Sequence, residues 1–322
     1  MKFSIGYNEE LDFLSLVNKY KDNISTIYFP MFYKVAYSGR TILDRTKTIR
    51  EYYNKVMTLI CLCKKYGIET DLILNSACDG INTCNDLYRK NIINHIKPLQ
   101  RCGLTTITLT NLWYIDLIKN EFPGLNIANS LNLGGIRKLE EAIDLKNLGV
   151  NILIVDPSIN YDLKLLKSIK EKTKLKMKIL INESCISNCP FDRQHANMLA
   201  HLVEPESNEW IKSTCGQIYN KNRRKFFRVP FIRPEDLKNY DFIDYLKLNT
   251  RDNNTDYIDK LLSIYIKQDF EGNLLDLLEF DFSEVTSIKY IDNKKLGKLG
   301  FFEDMLKCPK DCDTCTKCDK YF

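Results

Sequence analysis

Histidine is scarce in this chain, with three in 322 residues, so a zinc or non-haem iron site built mainly from imidazoles is not expected. No stretch approaches the roughly 18 uninterrupted apolar residues of a membrane helix. The opening MKFSIGYNEELDF holds no apolar run of export-signal length. A cytoplasmic protein without a membrane span is therefore expected. No glycine-rich nucleotide loop follows the first strand-like segment, which argues against an open doubly wound sheet. No Gly-x-Ser-x-Gly elbow and no His-Glu-x-x-His helix occurs, so the motifs of serine hydrolases and of one large class of zinc peptidases are missing. Internal repeats and low-complexity segments are absent as well.

What is present suits a globular chain. Hydrophobic residues make up 44% and charged residues 28%, enough for one large core or a domain with an appendage. The formal charge of +5, from 47 basic and 42 acidic residues, permits a polyanionic partner without requiring one. Cysteine is abundant, at twelve. In a reducing compartment thiols stay unpaired, so metal or cluster ligation explains those that are grouped.

Strand-like and helix-like segments alternate from the start: Phe3 to Tyr7 then Glu9 to Lys21, Ser25 to Phe29 then Ile42 to Tyr66, Thr70 to Leu74 then Asp86 to Cys102. Thr105 to Leu109, Asn126 to Asn129, Asn151 to Val155 and Lys178 to Ile181 continue the series, each followed by a helix-compatible run. Seven such alternations predict a parallel sheet, with an eighth strand at Phe226 to Ile232 or Tyr245 to Leu248. The expected fold is α/β, a (β/α)8 TIM-like barrel over residues 1–270 with a short Cys-rich C-terminal extension over 271–322. An open doubly wound sheet is the alternative. In a barrel, active sites collect in the loops after the strands. Those loops carry Asn75, Asn111, Ser130, Asp156, Glu183, Arg233 and Arg251.

Two cysteine constellations stand out. Met177 to Ile181 reads as a buried strand, and the loop after it, Asn182-Glu183-Ser184-Cys185-Ile186-Ser187-Asn188-Cys189-Pro190, holds two cysteines four apart. Glu204 to Cys215 reads as irregular, and Cys215 is a third candidate ligand. The tail then places Cys308, Cys312, Cys315 and Cys318 at spacings of four, three and three. Four thiolates this close repel one another unless a cation neutralises them, which suits an iron–sulfur cluster or a tetrahedral zinc. Two arrangements fit. Cys185, Cys189 and Cys215 hold a cluster whose fourth position is open or filled by Cys78 or Cys84, while the tail holds its own metal; or a tail cysteine folds back to complete the body site. Between these groups, Lys221-Asn222-Arg223-Arg224-Lys225-Phe226-Phe227-Arg228 sets five cations around two aromatics, able to hold phosphates and stack on a base, or else a solvated loop.

The segment from Asn182 to His195, together with Phe231-Ile232-Arg233-Pro234-Glu235-Asp236-Leu237, Leu246-Lys247-Leu248-Asn249-Thr250-Arg251 and Gly272-Asn273-Leu274-Leu275-Asp276, resembles the collagenase-like peptidase family. That family includes the paired proteins of oxygen-independent ubiquinone-ring hydroxylation and enzymes that hydroxylate transfer or ribosomal RNA. The resemblance implies a barrel, a [4Fe–4S] cluster on four cysteines, and hydroxyl insertion without molecular oxygen. Only the pair Cys185 and Cys189 matches its motif directly, and the tail run lies outside it.

The expected activity is thus an iron–sulfur hydroxylase or related redox enzyme acting on RNA or on a small aromatic or peptidyl substrate. Its partners would be an electron donor protein and, in some assemblies, a partner subunit. Glu183, Arg233 and Arg251 are the candidate catalytic residues, as proton donor or as clamps for carboxylate or phosphate. Cys185, Cys189, Cys215, Cys308, Cys312, Cys315 and Cys318 are the candidate ligands of one cluster or two, with zinc as the alternative in the tail. Two other readings stand beside this one: a non-catalytic scaffold with structural zinc, and a peptidase, for which a cysteine with His195 or His201 is the one candidate dyad.

Overall fold

Eight short strands close into a parallel barrel in chain order, β1 (Phe3–Gly6), β2 (Ile24–Pro30), β3 (Glu69–Leu74), β4 (Thr106–Leu109), β5 (Asn126–Asn129), β6 (Ile152–Ile154), β7 (Lys176–Leu180) and β8 (Tyr245–Lys247). The ring is shut by β1 against β8, with Phe3 beside Leu246 and Ser4 beside Lys247. This computed structural model describes residues 1–36, 48–80, 82, 85–201, 209–250, 252–279 and 285–322, and leaves out the side chains of 133 and 209–213.

Helices α1 (Phe13–Lys19), α2 (Ile49–Tyr66), α3 (Asp86–Cys102), α4 (Tyr114–Glu121), α5 (Leu139–Leu148) and α6 (Leu163–Thr173) each return the chain to the next strand. Between β7 and β8 lie α7 (Asp192–Ala200) and α8 (Glu209–Lys221), and α9 (Thr255–Lys267) follows β8. Local chemistry explains the ends. Thr48 and Glu51 form a reciprocal capping box at the start of α2, and Gly67 takes the left-handed conformation that ends it.

Alternation along the strands separates two interiors. In β7, Met177 and Ile179 join the large apolar core between sheet and helices. Lys178 instead faces the barrel axis, where its ammonium lies 3.0 Å from Asp71 of β3, both side chains being almost fully buried. Thr108 donates to the same carboxylate at 2.8 Å. Beside this pair sits a small apolar cluster of Ala128, Ile152, Ile154 and Tyr245. Below it Tyr245 donates to Glu69, which also pairs with Lys176.

The closing strand comes from Tyr245 to Leu248, the second of the two predicted candidates. Phe226 to Ile232 makes no strand: it begins in a 3-10 turn, Arg223–Arg228, and Pro230 offers no N–H to a ladder. Its aromatics pack on those of the C-terminus, with Phe231 stacked on Phe301 and Phe227 against Tyr321 and Phe322. The stretch expected to be irregular is helical from Glu209 onward, as α8. Beyond Gly272, α10 (Asn293–Lys298) and α11 (Phe301–Leu306) carry the chain back over the barrel, and Leu274, Ile291, Phe301 and Tyr321 belong to the same continuous core.

Candidate functional site

A cavity of about 260 Å³ opens at the carboxyl ends of the strands. Its floor is built from inward residues of β2, β3, β4, β6, β7 and β8: Tyr28, Ile73, Thr108, Ile154, Leu180 and Lys247. The upper wall is the cysteine loop after β7 with α7 and α8. Cys185, Cys189 and Cys215 all line it, as do Glu183 and His195.

The loop is held from several sides. Asn182, fully buried, donates to the carbonyl of Asn249 and accepts from its N–H, which ties the end of β7 to that of β8. The Glu183 carboxylate accepts from the N–H groups of Ser184 and Cys185 at 2.7 and 2.8 Å. Asn188 turns the chain with a φ of +57°, a conformation asparagine tolerates better than most residues. Ser187 then exchanges two hydrogen bonds with Arg228, and Tyr219 of α8 donates to the carbonyl of Ser184. Cys215 and Tyr219 stand one helical turn apart and so present one face of α8 to the loop. Burial pushes the Cys189 and Cys215 thiols up, with the Arg228 guanidinium opposing the effect at Cys189.

The expected catalytic residues separate here. Glu183 is at the cavity, where one oxygen organises the cysteine loop. Arg233 is not: buried, it binds Asp236 through two nitrogens at 2.8 and 3.1 Å and donates to the carbonyl of Asn293 at 2.7 Å, so its charge staples the C-terminal extension to the barrel instead of clamping substrate. Arg251 and Cys84 lie outside the described residues. Cys78 receives the N–H of Gly80 on its sulfur and is not among the cavity-lining residues. His201, at the end of α7, is exposed.

The basic run also takes another role. Phe226 and Phe227 are buried, which removes them as stacking platforms for a base. Arg224 donates to the carbonyl of Cys315, Lys225 pairs with Asp313 at 3.0 Å, and Arg223 lies over the ring of Phe322. With Arg228 on Ser187, four of the five cations serve the tail or the cysteine loop. The four tail cysteines lie against this same segment, Cys312 and Cys318 buried and Cys308 and Cys315 partly so.

Arg137, Asp156 and Lys247 also line the cavity. Arg137 binds Asp156 through two nitrogens, at 2.9 and 2.8 Å, on the rim. Gly135, at a φ of +63°, makes room for this: a Cβ there would fall 2.6 Å from that of Asp156. Lys247 sets its ammonium 4.5 Å from the centre of the Tyr28 ring. Lys247 falls in the Leu246 to Arg251 segment that carries the family resemblance.

The donor set fits a thiophilic metal or an iron–sulfur cluster, because three thiols from two elements border one cavity beside a cation. Among the described residues no three Cys, His, Asp or Glu side chains stand as a preformed metal site. Among the described residues no helix is long and apolar enough to cross a membrane.

No family model matches the chain. Over 316 residues, 96% of this chain and 91% of the relative, it is 28% identical to a protein of Methanocaldococcus jannaschii named uncharacterized protease MJ1657. Its fold aligns with the structure of the U32 peptidase Mk0906 at a TM-score of 0.56 and 13% identity, covering 78% of this chain and 93% of that one. The shared architecture is the barrel.

Proposed function

We propose that this barrel of the collagenase-like (U32) peptidase family is an iron–sulfur enzyme that inserts a hydroxyl group, without molecular oxygen, into an aromatic or nucleobase ring, free or carried by RNA or a peptide. The observation that supports this reading is the convergence of Cys185, Cys189 and Cys215 on one cavity at the carboxyl ends of the strands. These three thiols would hold the cluster, which when bound supplies the one-electron chemistry that such a hydroxylation needs. With water as the oxygen source the ring trades a C–H for a C–OH bond and gives up two electrons and two protons overall, and an electron carrier protein in its oxidised form would take those electrons away.

The chain's own groups have separable tasks. The cavity is of the order that admits a single ring, and Tyr28, Ile73, Ile154 and Leu180 give that ring an apolar floor. Lys247 places a cation where an oxygen anion on the ring would be stabilised. His195 lies within the wall, where its imidazole would pass a proton to or from the substrate. The Arg137–Asp156 pair marks the rim, where a larger substrate would meet a polar edge whose charges balance each other.

Anaerobic purification with iron and acid-labile sulfide quantified tests the reading. Both should be present and should fall in Cys185→Ser and Cys189→Ser, with a substrate mass gain of one oxygen atom seen only for the loaded protein. Zinc without iron or sulfide would sink it. A thiol peptidase is the second reading, favoured by His195 and three thiols lining the same cavity. Peptide hydrolysis by metal-free protein, abolished in His195→Gln, would select it.

A further inference from the structure

We infer that Cys308, Cys312, Cys315 and Cys318 form a second metal site, separate from the cavity's thiols, whose occupant locks the C-terminal tail against the wall that holds the cysteine loop. The ligand class is a soft metal centre taken by four thiolates, either one zinc ion or one iron–sulfur cluster.

Backbone geometry supports a site. The N–H of Lys310 points at the sulfur of Cys308, 3.4 Å away, and Lys310 adopts a φ of +60° to do so. A lysine held in the left-handed region is uncommon, and an amide aimed at sulfur is what stabilises a ligating thiolate. Cys315 donates its N–H to the carbonyl of Asp311 at 2.9 Å, which folds the run back on itself. Cys318 belongs to the apolar core and Cys308 packs against it. The four therefore share one neighbourhood.

That neighbourhood is anchored from outside through backbone groups, which leaves the sulfurs available. Asn222 donates to the carbonyl of Cys312 at 2.9 Å and Arg224 to that of Cys315 at 3.0 Å. Lys310 donates to the carbonyl of Ser158, a residue of the cavity rim. Tyr321 and Phe322 close the end against Phe227. No three of these thiols stand as a preformed metal site among the described residues. All four lie within eleven residues of one anchored loop, and the inference requires their side chains to turn toward one centre when the metal binds.

The same segment continues to the cavity. Arg228 ends the 3-10 turn that grips the tail, and its carbonyl and guanidinium both bond to Ser187, midway between Cys185 and Cys189. Occupancy of the tail site thus braces the loop that carries two of the cavity's thiols.

The test uses the full chain purified without air. Zinc, iron and sulfide are quantified per chain in wild type, in Cys312→Ser/Cys318→Ser and in Cys185→Ser/Cys189→Ser, with circular dichroism as a check on folding. The tail variant should lose one zinc, or the iron and sulfide of one cluster, and keep the cavity's complement. A tail variant with wild-type metal content overturns the inference. So does the loss of one and the same complement from both variants, since that means a single shared centre. If the tail variant does not fold, wild type decides: alkylation of the four tail thiols should speed up together on chelation, and rates indifferent to chelator overturn the site. Failure of the cavity reading appears separately, as unchanged metal in the Cys185→Ser/Cys189→Ser protein.

Discussion

Replacing Lys178 by methionine should be among the costliest single changes in the barrel. The ammonium and the Asp71 carboxylate are 3.0 Å apart, with side-chain exposures of 1% and 2%, so water cannot take over the role of the lost partner. Methionine refills most of the volume, which keeps the cavity contribution small. What remains is a carboxylate in the barrel interior that accepts a hydrogen bond from the Thr108 hydroxyl. Removing one partner of a buried pair typically costs about 3–5 kcal/mol, a large share of the 5–15 kcal/mol that domains usually possess. Substituting Asp71→Val as well removes the orphaned charge and leaves the Thr108 hydroxyl unsatisfied, a cost of about 1–3 kcal/mol. The double variant should therefore be more stable than Lys178→Met alone, by about 2 kcal/mol. Urea unfolding followed by far-ultraviolet circular dichroism measures both, as shifts of midpoint at constant slope. A Lys178→Met protein within about 1 kcal/mol of wild type, or a double variant that shows the sum of the two single losses, would refute this account of the pair.

Acid should loosen the C-terminal extension through Glu235. Burial opposes its charge, but hydrogen bonds from Asn293 and the N–H of Phe270, with Arg233 nearby, hold its carboxyl below the usual range. A depressed folded value means its contribution is complete above the ordinary glutamate pKa of about 4.3 and is lost as pH falls through the lower folded value. Hydrogen exchange of the 272–293 segment against pH should show this loss, and Glu235→Gln should lack it; equal acid slopes would count against it. Gly135→Ala should destabilise the protein by about 1–3 kcal/mol, through the left-handed backbone and the clash with Asp156. In a thermal melt and a substrate titration it should lower Tm and weaken binding together. Arg233→Met should lower stability by about 3–5 kcal/mol by orphaning Asp236, while kcat of the surviving folded protein stays near wild type. A large fall in kcat with Tm unchanged would restore Arg233 as a catalytic candidate.

Short-range patterns alone carried the architecture. Alternation of apolar runs and helix-compatible segments requires only neighbours in sequence, and chain order then dictates the order of a parallel barrel. The spacing of Cys185 and Cys189 after an apolar strand likewise placed them at its carboxyl end, where the cavity opens. Which of two segments would close the ring was not legible, because Phe226 to Ile232 is as apolar as a strand. Its aromatics are claimed by Phe301, Tyr321 and Phe322, partners seventy or more residues away.

Charges were misread for the same reason. Arg233, Arg224 and Lys225 look like a substrate clamp and a phosphate patch in one dimension. Asp236, Asp313 and the carbonyl of Cys315 neutralise or occupy them in three. Lys178 and Lys247 face the barrel interior because the closed sheet turns them inward. Periodicity and cysteine spacing are properties of the chain and were determined by it. The assignment of each charge to a protein partner or to the cavity was decided only by folding, since ionic and hydrogen-bond partners are selected by distance in space.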